Sequence, residues 1–203
     1  MVLIGLLGLK GSGKDTCADY LALNYGFVKK SFADPLKRAC KELFLYSDSQ
    51  LYGDQKEIPD QRWFGCTPRK SLQFLGTDLL RDQVDIIMPG IGKNIFTHHF
   101  NIWYQEHIIN NPDIHVVVAD VRFQNEVDLL KSLGGYIIKL ERNSIIPDTH
   151  VSEQEQLKII NIDHVIFNNS TKEDLYQLLH HYIFGQFKIN FKNYDNYYHT
   201  MIR

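Results

Sequence analysis

The 203-residue sequence predicts an α/β fold of three layers, a mostly parallel central sheet with helices on both faces. Three observations carry that expectation. Short apolar runs alternate along the whole chain with stretches whose apolar residues recur at helical spacing. The run Asp113 to Asp120 is β-branched through its middle, as suits a strand covered on both faces. The first apolar run, Leu3 to Leu7, leads directly into a glycine-rich turn and then a helical pattern, the layout of a phosphate-binding P-loop.

That turn reads Gly8-Leu9-Lys10-Gly11-Ser12-Gly13-Lys14-Asp15-Thr16. Its glycines let the backbone curl so that N–H groups point inward, which a Cβ would obstruct. With the helix N-terminus behind them, those donors suit an anionic oligophosphate, and Lys14 adds a mobile positive charge. The strict motif has Ser or Thr after the lysine; here Asp15 holds that place and the hydroxyl follows at Thr16. The offset form resembles nucleoside monophosphate kinases. A dinucleotide-binding reading is weaker, because Thr16 stands where its third glycine belongs.

The spacing predicts a helix over 15–24 that stops near Gly26, and a strand over Phe27 to Ala33. Asp34 is expected to cap the next helix, with Pro35 in its first turn. Lys37 and Arg38 in that turn oppose the helix dipole, so they read either as ligands for an anion or as a solvated face. Tyr46 to Thr67 reads as a loop or insertion. Pro68 starts a helix over Arg69 to Asp85, in which Gly76 costs about 1 kcal/mol relative to alanine, a cost that a close approach of a ligand or another backbone would explain. A turn at Met88 to Gly92 precedes a helix over Ile95 to Ile109 that carries Trp103.

Asp120 ends the Asp113 to Asp120 strand, the position of the magnesium-side or acceptor-side carboxylate in P-loop enzymes. Arg122 and Glu126 are read four apart on one helix face, where an intrahelical ion pair is the plain alternative to a functional role. A helix through Leu133 ends at Gly134-Gly135, and Tyr136 to Leu140 forms the next strand. A loop at Asn143 to His150, a short helical piece from Val151, a strand at His164 to Phe167 and a helix at Thr171 to Tyr182 complete the pattern. No repeat or linker divides it, so residues 1–183 read as one domain and 184–203 as a tail, packed or partly disordered.

A net charge of −2 argues against bulk electrostatic binding of nucleic acid. Cys17, Cys40 and Cys66 are odd in number and widely spaced, as expected of reduced thiols in an intracellular, cytoplasmic protein. No signal or membrane-spanning pattern appears. The pairs His98-His99 and His180-His181 lack metal-ligand spacing and read as surface or packing residues. Thr171-Lys172-Glu173-Asp174 spells the base-reading motif of GTP switches, but Asp120-Val121-Arg122-Phe123 lacks the switch glycine. Small kinases remain, in which positioning and charge neutralisation do the chemistry; Arg69, Arg81, Arg122 and Arg142 lie at element ends suited to converge on phosphates.

Four segments, in order, resemble the deoxynucleoside monophosphate kinases of T-even bacteriophages and their viral relatives. They are Gly11 to Thr16 with Ala18-Asp19; Gln73 to Leu79; Asp120-Val121-Arg122 with Glu126, Asp128 and Gly134; and Asp148 to Glu153 followed by a strand and Asn168-Asn169. The resemblance implies a P-loop kinase fold and transfer of the γ-phosphoryl of ATP, with Mg2+, to a deoxynucleoside 5′-monophosphate, dGMP or dTMP foremost. It implies ATP on Gly11, Ser12, Gly13, Lys14, Asp15 and Thr16, with Asp15 and Thr16 toward the metal. Leu36, Lys37, Arg69, Gly76, Thr77 and Trp103 would line the monophosphate site, closed by Asp120, Arg122 and Glu126. Lys14, Arg122, Asp120 and Arg142 would be catalytic, Arg142 as a lid-type arginine. The chain is shorter than the phage enzymes between Lys37 and Asp120, which bears on base specificity. The rival readings are a phosphomevalonate- or dephospho-coenzyme A-kinase-like enzyme and a non-catalytic nucleotide-binding module. Small-molecule nucleotides are the expected partners, with no nucleic acid or membrane; a homodimer is compatible with the sequence, and host cytoplasm is the expected location if the source is viral.

Overall fold

The structure, a computed structural model, describes residues 1–143 and 151–187, without the side chains of 151–153 and 184. Contacts sort the chain into two compact units, one made of residues 1–31 together with 104 onward, the other of residues 32–103. No change of composition marks either boundary, and the second falls inside a helix.

The first unit holds a five-stranded sheet. Its strands are β1 (Leu3–Leu7), β2 (Val28–Lys30), β3 (Val116–Val121), β4 (Tyr136–Glu141) and β5 (His164–Phe167), in the order β2-β3-β1-β4-β5. All neighbours run parallel, with Leu3 opposite Val116 and Ile4 opposite both Val117 and Tyr136. Parallel strands need crossovers, and helices supply them: α1 (Lys14–Tyr25) after β1, α6 (Gln124–Ser132) after β3, α7 (Val151–Gln156) after β4 and α8 (Lys172–Phe187) after β5. Side chains alternate across β1. Ile4 and Leu6 join Cys17, Leu21, Leu175, Leu179 and Ile183 in a core shared with α1 and α8. On the opposite face Gly5 lies under α6, where a Cβ would come 2.6 Å from Leu130 Cδ1. The sheet is therefore covered on both sides, as the apolar strands predict.

The second unit is helical: α2 (Asp34–Phe44), α3 (Asp48–Leu51), α4 (Pro68–Gln73) and the first part of α5 (Ile95–Asn110), with short 3-10 turns between them. Several expectations change here. Ala33, not Asp34, takes the N-cap place of α2, and Asp34 is its first helical residue, with no side-chain cap. Residues 46–67 are not a bare loop. Ser47 and Gln50 form a reciprocal capping box on α3, while Asp60 accepts from Arg62 Nε (3.0 Å), Arg62 Nη2 (2.6 Å) and Gln50 Nε2 (2.9 Å). Trp63 Nε1 donates to the Phe44 carbonyl at 2.7 Å.

The helix expected over 69–85 divides. After α4 the backbone widens into a π-helical turn at Phe74–Leu79, with Leu80 N–H bonded to Leu75 O (2.9 Å) and Asp82 N–H to Thr77 O (3.0 Å). Gly76 sits inside it, and the group that approaches closely is a side chain, not the expected ligand or backbone: a Cβ there would lie 2.7 Å from Leu36 Cδ2. β2 is shorter than its pattern, α8 runs on to Phe187, and residues 188–203 lie outside the described residues, as does most of the expected 143–150 loop.

Candidate active site

The residues singled out by sequence fall into two sets, one in each unit. In the first, β1 ends at Leu7 and the chain turns through Gly8, Gly11 and Gly13 at φ of +150°, +84° and +104°. Ser12 N–H donates to Leu9 O at 3.1 Å, and Cys17 N–H to Gly13 O at 2.9 Å opens α1. Gly13 is the N-cap and has no side chain with which to accept from the first-turn N–H groups of α1. Ser12 is buried, and its hydroxyl makes no hydrogen bond among the described residues. A Cβ on Gly8 would drive into the Leu140 carbonyl and come 2.6 Å from Ser12 Oγ, so the turn closes only with glycine there.

Lys14 is buried, and its ammonium donates to the Gly8 and, at 2.8 Å, Leu9 carbonyls. Asp15 points outward and meets Lys29 Nζ at 3.0 Å, which also holds Asp19 at 2.8 Å. Burial works to lower the Lys29 pKa, but the hydrogen bonds and charges of Asp19 and Asp15 prevail and raise it, so the three form a fixed charged cluster beside the loop. Thr16 is half-buried in the first turn.

Asp120 is the penultimate residue of β3, where Ser31 Oγ donates to its Oδ2. Arg122 lies in the turn between β3 and α6, not on a helix face shared with Glu126. Their link is through the backbone: buried Glu126 accepts from Arg122 N–H at 2.7 Å and Phe123 N–H at 3.1 Å, fixing the turn that presents Arg122. Arg142 follows β4 and lines a cavity of about 160 Å3 with Gly8, Leu9, Ser12, Asn143 and Gln156. Asp148 to His150 lie outside the described residues.

In the second unit, Leu36 on α2 and Gly76 are brought together, with Thr77 next in the π turn, a geometry frequent at functional sites. Lys37 Nζ stands 4.5 Å above the Tyr52 ring, Arg69 Nε pairs with Glu57, and Trp103 packs at 5.6 Å against Phe100.

Sequence reasoning passed over three residues. Lys29 and Ser31 fall in the expected strand with no signal of a role, and Asn168 stands out only through the resemblance. Asn168 is buried, and its Nδ2 donates to Ser12 O at 2.9 Å. Cys17 and Cys40 add no nucleophile: burial pushes Cys17 up to about 12 and Cys40 to about 11. His98 and His99 are exposed, and Tyr25 and His180 share a hydrogen bond. The Thr171 to Asp174 motif is a helix start: Thr171 Oγ1 accepts from Asp174 N–H at 3.1 Å, and Asp174 accepts back from Thr171. Among the described residues, no group of three or more His, Cys, Asp or Glu is placed to hold a metal, and no helix is long and apolar enough to cross a membrane.

The deoxynucleotide monophosphate kinase family model matches residues 61–179. A protein of Acanthamoeba polyphaga mimivirus, provisionally named a deoxynucleotide monophosphate kinase, is 62% identical over 179 residues, spanning 87% of this chain and 93% of that one. The chain belongs to the deoxynucleotide monophosphate kinase family. The family's enzyme from enterobacteria phage T4 is 24% identical, with 87% of this chain and 96% of that one covered. Among solved structures, an unliganded sugar kinase from Janibacter sp. HTCC2649 is similar at a TM-score of 0.44 and 15% identity, covering 94% of this chain and 98% of its own. The family match begins at Gln61, so it bears on the turn carrying Arg122 and on the Gly76-Thr77 segment, while the phosphate-binding loop stands on its own geometry.

Proposed function

We propose that this kinase transfers the γ-phosphoryl of ATP, with Mg2+, to a deoxynucleoside 5′-monophosphate, dGMP or dTMP foremost, giving the diphosphate. The observation that carries the reading is the glycine turn that opens α1, with a glycine at the N-cap and Lys14 drawn inside the turn. Membership of the family supports the deoxynucleotide as acceptor. The buried Ser12 hydroxyl and the lack of room at Gly8 fit a loop shaped around an oligophosphate.

In this reading the N–H groups from Gly11 to Thr16 hold the donor phosphates and Lys14 leaves its carbonyl partners to neutralise them. The Thr16 hydroxyl and Asp15 would face the magnesium ion; with Asp15 engaged by Lys29, Thr16 is the stronger candidate. An open set of oxygens suits Mg2+, which keeps waters and binds mainly through substrate phosphates. The ion would supply charge neutralisation at the transferring group. Arg122 stabilises the charge on that group, Asp120 orients the acceptor oxygen and Arg142 closes over the donor as a lid-type arginine. Leu36, Lys37, Arg69, Gly76, Thr77 and Trp103 form the proposed acceptor set, Trp103 presenting a flat face to the base, while Glu126 holds the turn that presents Arg122.

The test is ATP consumption with Mg2+ across dTMP, dGMP, dCMP, dAMP, the ribonucleotides, phosphomevalonate and dephospho-coenzyme A. Turnover confined to deoxynucleotides supports the reading and ranks the bases. Turnover confined to phosphomevalonate or dephospho-coenzyme A reassigns the acceptor, and ATP binding without transfer to any acceptor favours a binding module.

A further inference from the structure

We propose that Asn168 is a positioning residue for the phosphate-binding loop, fixing which way the Ser12–Gly13 peptide faces; the inference rests on reading that loop as the ATP site. Asn168 stands directly after β5, where its N–H bonds to the Glu141 carbonyl at 2.7 Å and continues the sheet. Its main chain is thus anchored independently of its side chain. The side chain is buried and reaches the Ser12 carbonyl at 2.9 Å, a link between residues 156 apart in sequence. A carbonyl only accepts, so the amide nitrogen of Asn168 must be the group that faces it.

The peptide unit is planar and trans, with its C=O and N–H pointing in opposite directions. Holding the Ser12 carbonyl toward Asn168 therefore turns the Gly13 N–H away from β5, to the concave side of the loop where phosphate oxygens would sit. Gly13, at φ +104°, is the residue least able to hold that orientation by itself, because glycine lacks the steric restriction of a Cβ. The two positions also require each other: a Cβ on Gly13 would come 2.7 Å from Asn168 Nδ2 and 3.2 Å from Leu175 Cδ2. If the peptide turned over, a carbonyl oxygen would face the phosphates in place of an N–H, exchanging attraction for repulsion. The neighbouring Asn169 ties the residues after β5 to those after β4, since its Oδ1 accepts from Asn143 N–H at 2.8 Å.

The test uses the full chain as wild type, Asn168→Ala and Asn168→Asp, the latter nearly isosteric but turning an acceptor toward the carbonyl. Calorimetry with inorganic tripolyphosphate and with Mg-ATP reads binding without turnover, and steady-state kinetics reads the two substrates separately. Loss of a buried hydrogen bond that orients a charge-binding donor predicts about a tenfold weaker tripolyphosphate Kd and ATP KM for Asn168→Ala, and a larger loss for Asn168→Asp. The deoxynucleotide KM should stay within about twofold of wild type, a split that general loosening of the fold would not produce. Wild-type tripolyphosphate affinity in folded Asn168→Asp overturns the proposal, as does an equal rise of both KM values. Should neither variant fold, nitrogen-resolved spectra of the wild type decide: the Gly13 amide must shift as tripolyphosphate saturates, and a stationary signal overturns the assignment. A wild-type protein that binds neither tripolyphosphate nor ATP would remove the loop reading itself, whereas the variant results bear only on Asn168.

Discussion

The Ser31 hydroxyl donates to Asp120 Oδ2, joining the residue after β2 to the penultimate residue of β3. Lys30 and Val118 are paired in the parallel ladder, so the two side chains meet just past the end of β2, where β3 runs on to Val121. One carboxylate oxygen is held and the other keeps a defined direction. A hydrogen bond to a charged group contributes about 1.5–3 kcal/mol, so Ser31→Ala is expected to lower kcat about tenfold with little change in either KM. Ser31→Thr, which keeps the hydroxyl, should recover most of it. Steady-state kinetics of the two variants checks this, and an unchanged kcat in Ser31→Ala would separate Ser31 from the chemistry.

Lys14 is the one lysine of the loop whose ammonium is drawn inside it, on the Gly8 and Leu9 carbonyls. Electrostatic contacts to a transferring phosphoryl supply several kcal/mol, so Lys14→Ala should retain less than about a hundredth of kcat. Lys14→Arg keeps the charge but not the compact shape and is expected to recover little. Retention of wild-type turnover by Lys14→Ala would remove the loop from the mechanism.

Much of this was readable from the sequence because its signals are local. β1 and β5 have the bounds that their apolar runs predict, and α1 stops at Gly26, which takes φ +72° as a C-cap. What escaped depends on particular side chains or on distant partners. Residues 46–67 look like loop by composition, yet the Asp60 carboxylate and the Ser47 cap give them form. A π turn has no period of its own to read, so Gly76 could only be flagged as an interruption. The four-residue spacing places Arg122 on a helix that starts two residues later, and the grip of Asn168 on the loop spans 156 residues, beyond any pattern of spacing.

Gly76→Ala tests the π turn. Alanine gains about 1 kcal/mol in helix propensity, while crowding Leu36 Cδ2 at 2.7 Å costs a similar amount through a shifted rotamer. The two effects nearly cancel in stability, and the displaced Leu36 remains as the visible consequence. Thermal unfolding is therefore expected near wild type, with the deoxynucleotide KM raised about fivefold and the ATP KM unchanged. Leu36→Val should restore part of the loss in the double variant. Equal effects on both KM values would place Leu36 and Gly76 outside the acceptor set.

Stability should fall as pH drops below about 6.5, and His180 is the reason. Burial first, and then the charge of neighbouring His181, hold the His180 pKa below its ordinary value, and its Nδ1 is engaged by the Tyr25 hydroxyl. Between the folded and unfolded pKa values the unfolded chain binds the extra proton, so unfolding gains as pH falls. The contribution is complete above the unfolded value near 6.5 and disappears as pH passes down through the lower folded one. The informative quantity is a difference between two proteins. The melting temperature of wild type is expected to drop more between pH 7.5 and 5.5 than that of His180→Gln, which has no charge to gain. Parallel pH dependence in the two proteins would show that α8 is not held to α1 through a neutral His180.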